Sequence, residues 1–231
     1  MIGASTIRGL VLLVAAIILT AVVRPLNVAA AGNPVPEQIC NTAADYALGA
    51  EDYQQAIRLH RQVLEAEPAN ALAHYHLGFA YRMAGHSSEE LHEYLEAARL
   101  GLKQWDLFLN LGLAYLEQGD IARSIDSLKE AAMLGPGHNE AHFNLGLAYE
   151  RAGRLTDALH EMSRSIELAP RDPDGRNMRA MILAELGDYA QARKEWAQLE
   201  QDMPNYAPAH VNLALLDKSY CAQGLFSQAS K

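Results

Sequence analysis

The chain has 231 residues, half of them hydrophobic, which is enough for a sizeable buried core in one large domain or two small ones. Its net charge of -9 and its lack of any Lys/Arg cluster argue against a nucleic-acid backbone as partner, because phosphate binding needs grouped cations. A Gly-rich phosphate loop, a paired Cys motif and a Ser-His-Asp order are also missing from the sequence.

The first segment differs from the rest. Arg8 precedes an apolar run from Gly9 to Val23, and Ala29, Ala30 and Ala31 supply the small residues of a cleavage site, so residues 1–31 read as a secretory signal peptide. The run ends abruptly at Arg24 and falls short of the roughly 20 residues that span a bilayer. A cleaved signal and an uncleaved N-terminal anchor therefore both stay open. With the usual orientation either places the body outside the cytoplasm, periplasmic or secreted, with membrane contact only through this segment if it stays uncleaved. Arg8 and Arg24 flank the run on both sides and give little orientation signal. Residues 32–36 are a linker. Cys40 and Cys221 lie near opposite ends of the body, where an elongated fold would hold them beyond the roughly 7 Å between Cα atoms that a disulfide allows. They are expected to be two free or intermolecular thiols.

From residue 37 the sequence repeats with a period of 34, in units starting near 37, 71, 105, 139 and 173. Position 8 of the unit is small: Ala44, Gly78, Gly112, Gly146 and Ala180, which lets two helices approach closely. Position 15 is Gly85, Gly119, Gly153 and Gly187, the residue for a left-handed helix end. Asp52, Asp120 and Asp188 follow as caps of a second helix. Pro68, Pro136, Pro170 and Pro204 at position 32 stop that helix. Apolar residues recur at helical spacing in between, as in Leu111, Ala114, Tyr115 and then Ile125, Leu128, Ala132. Each unit is thus helix, tight turn, helix. After Tyr206 the first-helix pattern returns once more, and residues 207–217 read as a capping helix with a tail over 218–231.

This pattern resembles the tetratricopeptide repeat family over residues 37–217. The resemblance implies an all-α, right-handed α-solenoid of about five repeats plus the C-terminal cap. Departures occur at position 20, usually Ala, where Glu90 and Ser124 stand, and at position 32, where Leu102 replaces Pro. The stretch Ser87 to Glu90 reads as a capping box that would turn Glu90 toward a backbone N–H.

The resemblance further implies that positions 2, 5, 6, 9, 12 and 13 of the first helices face a concave groove. Position 6 holds His76, Asn110, Asn144, Met178 and, in the cap, Asn212. Asparagine offers a donor and an acceptor together, as a peptide backbone does. Helices packed about 8–10 Å apart would meet about every third residue of a strand rising about 3.3 Å per residue. Some large members of the family carry such an asparagine ladder. An equally open alternative is that these amides bond only between neighbouring helices. Tyr75, Leu109 and Phe143 at position 5, with Phe79, Leu113 and Leu147 at position 9, are the apolar floor of that groove. The expected peptide-binding set is Tyr75, His76, Phe79, Leu109, Asn110, Leu113, Phe143, Asn144, Leu147 and Asn212. Position 5 has no Lys or Arg, so the carboxylate clamp of chaperone-binding relatives is not expected; Arg82 and Arg151 at the edge are too few to form one.

Nine histidines raise the question of metal. His74 and His76 lie two apart and so do not share a helix face. His74, His142 and His210 share position 4, and His92 and His160 share position 22, which repetition alone explains. His138 and His142 are one turn apart, but His138 falls in the preceding turn. Three or four convergent ligands are wanting, so no metal and no cofactor are expected. The repeats take up nearly all of the body and leave no room for a separate catalytic domain. The sequence therefore reads as a non-enzymatic scaffold or adaptor holding a partner polypeptide, in envelope assembly or secretion. The alternatives are a self-assembling structural protein and a lipid or sugar carrier using Tyr75, Phe79 and Phe143.

Overall fold

The computed structural model describes residues 39–222, and every element among them is an α-helix. The expected signal segment 1–31, the linker 32–36 and the end of the tail lie outside the described residues. No described helix is long and apolar enough to cross a membrane. The chain divides into two compact units, one of residues 31–153 and one that includes residues 154–231.

The first unit contains α1 (Thr42–Gly49), α2 (Tyr53–Ala66), α3 (Ala71–Ala84), α4 (Ser87–Arg99), α5 (Trp105–Glu117), α6 (Ile121–Leu134) and α7 (Asn139–Arg151). The second contains α8 (Leu155–Leu168), α9 (Pro173–Glu185), α10 (Tyr189–Asp202) and α11 (Ala207–Ala222). The first helices α3, α5, α7, α9 and α11 begin at Ala71, Trp105, Asn139, Pro173 and Ala207, the opening residue of each expected repeat. The first repeat is the exception: its helix begins only at Thr42, where Asn41 caps it by accepting from the backbone N–H groups of Ala43 and Ala44.

The punctuation behaves as its chemistry requires. Gly85, Gly119, Gly153 and Gly187 take left-handed backbone, with φ from 71° to 86°, and close the first helices. The first repeat has Glu51 at that position, the one non-glycine residue with positive φ among those described, at 60°. Asp52, Asp120 and Asp188 each accept the backbone N–H three residues on, at 3.0, 3.1 and 3.1 Å. A Cβ on Gly78 would meet the Tyr94 ring at 2.6 Å, so the close approach of α3 and α4 demands glycine there. Without Pro at position 32 the second repeat stops α4 by another device: Gly101, at φ 92°, ends it and donates to the Ala98 carbonyl.

Two expectations are corrected. Ser87 is the first residue of α4 and not its cap, and no side chain caps this helix. Glu90 instead turns inward and accepts from Arg82 at 2.8 Å, because α4 packs on α3 and buries position 20. Ser124, at position 20 of the next repeat, is buried likewise and donates to the Gly112 carbonyl at 2.8 Å. The terminal helix α11 runs to Ala222, beyond the expected end at 217, since no proline or glycine interrupts it there. The core of the first unit gathers Leu48, Ile57, Tyr75, Leu77, Phe79, Tyr94, Leu107 and Leu111; that of the second gathers Met181, Leu183, Trp196, Leu199 and Leu216.

Candidate functional site

The first-helix face follows one repeated geometry. The position 6 amide of one repeat reaches the position 5 side chain of the repeat before it. Asn110 Nδ2 donates to the Tyr75 hydroxyl oxygen at 3.3 Å, and that hydroxyl donates to Asp106 Oδ2 at 2.9 Å. In the second unit Asn212 Nδ2 donates to Asn177 Oδ1 at 2.9 Å, and Trp196 Nε1 donates to the same oxygen at 2.9 Å. Asn144 follows Leu109, which offers no polar atom, so its Nδ2 turns back to the Glu140 carbonyl at 2.8 Å. The three asparagines therefore all make bonds within the helix layers. Among the oxygens of these three amides, Asn110 Oδ1 is the one buried without a partner. Burial, and then the Asp106 carboxylate, push the Tyr75 hydroxyl well above its ordinary pKa, so it stays a donor.

The apolar floor is displaced. Tyr75, Phe79, Leu109, Leu113 and Leu147 are all buried, as are Asn110, Asn144 and Asn212; Phe143 is half-buried. The physical reason is that positions 5 and 9 sit where consecutive first helices touch, so their side chains fill the layer before any ligand arrives. Arg82 is committed to Glu90 and, at 3.0 Å, to Glu117, while Arg151 lies 3.5 Å from the Leu116 carbonyl. Arg82 is thus already engaged by two carboxylates of the chain itself.

The histidines separate as their spacing demands. His74 takes Glu93 at 2.6 Å and the Pro68 carbonyl at 3.1 Å, and His210 makes the same pair of contacts with Glu200 and Pro204. His138 stacks on Trp105 with ring centroids 3.7 Å apart.

His76 departs from the peptide-reading role expected of it. Its ring is buried, and Nδ1 lies 2.6 Å from Asp45 Oδ1 and 3.3 Å from Cys40 Sγ. His60, on α2, brings Nε2 to 3.1 Å from the same carboxylate oxygen. Asp45 Oδ2 is fixed from behind by the backbone N–H groups of Cys40 and Asn41, at 2.8 and 2.9 Å. Burial pushes His76 down to about 4, so the ring is neutral at ordinary pH. Burial, then the Asp45 carboxylate, push the Cys40 thiol up to about 12. Burial acts to raise Asp45 too, but the Asn41 N–H and the two rings outweigh it and hold the carboxyl below its usual range. Cys40 is a free thiol. The sequence pattern hid this group because its members come from four separate positions spread over two repeats; the signal available was a polar Asp45 and His60 at positions 9 and 24, which are apolar in every later unit.

Comparison with known proteins agrees with this repeat geometry. A tetratricopeptide repeat family model matches residues 109–173 and 153–210, and another of the same description matches residues 47–89. The chain belongs to the tetratricopeptide repeat family. Solved tetratricopeptide repeat structures superpose on it: YrrB, described as a TPR protein with an unusual peptide-binding site, at 22% identity and TM-score 0.68 over 72% of this chain and 86% of that one. MamA aligns at 22% identity and TM-score 0.65 over 71% and 91% of the two chains. A tetratricopeptide repeat protein from Parabacteroides merdae aligns at 21% and 0.68 over 78% and 71%. At these identities the likeness is one of fold. No curated protein matches the chain.

Proposed function

We propose that this tetratricopeptide repeat chain is a non-enzymatic protein-interaction scaffold that holds an extended or helical partner polypeptide against its first helices. One observation carries the reading: Asn110 keeps Oδ1 buried and without a partner while its Nδ2 is already engaged by Tyr75. An acceptor left open in a buried setting costs about 1–3 kcal/mol, and a backbone N–H of a bound strand is the donor that relieves it. Half-buried Phe143, at position 5 of the next repeat, offers an apolar contact. The peptide-binding site named for YrrB supports the reading by likeness of fold. An exported scaffold suits envelope assembly, pilus or secretion machinery; that setting rests on the sequence of residues 1–31 and on analogy.

The test compares full-length wild type with an Asn110→Leu variant, matched for helicity and melting temperature, for what each captures from an envelope extract. Loss of one specific protein from the variant is the expected result. An identical capture list refutes the role of Asn110, and the reading with it.

A second reading, self-assembly, is favoured by the first and last helices. Tyr46 stands at position 10, where Ala80, Ala114, Ala148 and Ile182 are buried, yet it is 78% exposed. Val211, at position 5 of the last helix, is 51% exposed, where Tyr75, Leu109 and Asn177 are buried. Each is a place that another repeat would cover. Mass measured by light scattering over a hundredfold range of concentration decides between a monomer and a growing array.

A further inference from the structure

We propose that Cys40, Asp45, His60 and His76 are the ligands of a structural zinc site that fastens the first repeat to the second. Cys40 Sγ, Asp45 Oδ1, His60 Nε2 and His76 Nδ1 all lie within 4.8 Å of one another. Zinc with bonds of about 2.0–2.3 Å to such donors sets the edges of its tetrahedron at roughly 3.3–3.6 Å. The contacts of 3.1, 3.3 and 3.5 Å within the group are close to that edge already. The His76 to Asp45 contact, at 2.6 Å, is the one that must open, by about 0.7 Å.

The surroundings are those of ligands held in place. His60 Nδ1 lies 2.9 Å from the Ala56 carbonyl, which can only accept, so that nitrogen carries a proton and Nε2 is the ring atom presented to Asp45 Oδ1. Asp45 is braced in turn, since Oδ2 accepts two backbone N–H groups and only Oδ1 is left for the cluster. Both histidine rings are buried, whereas Cys40 and Asp45 are half-buried and leave a way in.

The repeat frame supplies an independent argument. Position 9 is Asp45 here but Phe79, Leu113, Leu147 and Met181 later; position 24 is His60 here but Tyr94, Leu128, Met162 and Trp196 later. All eight of those later residues are buried and none carries a charge. The first repeat alone replaces its core with metal-binding side chains, and it is the one with the short helix α1. The donor set of one thiolate, two imidazoles and one carboxylate suits zinc with no open position, hence a structural role. On binding, the Cys40 thiol gives its proton to solvent and its sulfur lone pair to the metal.

The test uses the full-length chain, untagged, stripped with a chelator and titrated with Co²⁺ and then Zn²⁺. One Co²⁺ per chain is expected, with the visible bands of tetrahedral cobalt and a thiolate charge-transfer band, and one Zn²⁺ displaces it. Cys40→Ser removes the charge-transfer band, and Cys40→Ser and His60→Gln each weaken binding by more than about 100-fold. His160→Gln, exposed and remote in the repeat frame, leaves binding unchanged. Absence of the thiolate band from the wild type overturns the proposal, as does tight binding that survives both ligand variants. Should His60→Gln not fold, the wild-type and Cys40→Ser spectra decide alone.

Discussion

At position 24 the first repeat places His60 and the fifth places Trp196, and both side chains are buried. Around Trp196 the hydrogen bonds close. Its indole N–H and the Asn212 amide both donate to Asn177 Oδ1, and every group in that trio is neutral. Around His60 two imidazole rings and a thiol converge on one carboxylate oxygen, with His76 Nε2 left buried and without a partner. The same slot in the same fold thus hosts a finished neutral network at one place and a cation-shaped set of donors at the other. A buried polar group is tolerated when its partners are built in, and the first repeat is built as if one partner comes from outside.

The largest expected effect comes from opening the finished network. Asn177→Ala strands the Trp196 and Asn212 donors at once and should destabilise the chain by about 3 kcal/mol in urea melts. A loss under about 1 kcal/mol would show that water replaces the missing oxygen.

Converting the first repeat to the apolar pattern of its neighbours is the complementary change. The triple variant Asp45→Leu, His60→Leu, His76→Leu should be more stable than wild type by about 1–3 kcal/mol in chelator, because buried polar groups give way to packing. With zinc at about 100 times its Kd the wild type should recover about 2.7 kcal/mol and the variant nothing. Thermal melts of both proteins, with and without metal, measure the crossing.

Smaller effects probe the helix ends. Asp52→Ala and Asp188→Ala should each cost about 1 kcal/mol through loss of a cap bond of the same geometry, 3.0 and 3.1 Å. Equal losses would mean that the two repeats differ only in their cores. Glu51→Gly should stabilise the first repeat by about 0.5 kcal/mol, the balance of relieving left-handed strain against the freedom glycine gains when unfolded. Amide hydrogen exchange localised to α1 and α2 detects a change that small.

The amino-acid sequence by itself determined the fold, because its terms are local. Gly85, Gly119, Gly153 and Gly187 meet a backbone requirement, Asp52, Asp120 and Asp188 meet a capping requirement, and the period of 34 places every first helix from Ala71 onward. It also separated His74 from His76, since helical spacing alone puts them on different faces. What it left open was every question settled across repeats. Whether Asn110 Nδ2 meets Tyr75, whether Glu90 caps a helix or meets Arg82, and whether Leu109 and Leu113 are exposed or buried depend on what the adjacent helix brings. Cys40, Asp45, His60 and His76 are spread over 36 residues and show no motif. Only the packing of α1, α2 and α3 brings their ligating atoms together, because a helix fixes direction along its own axis and leaves the distance between axes to tertiary contact.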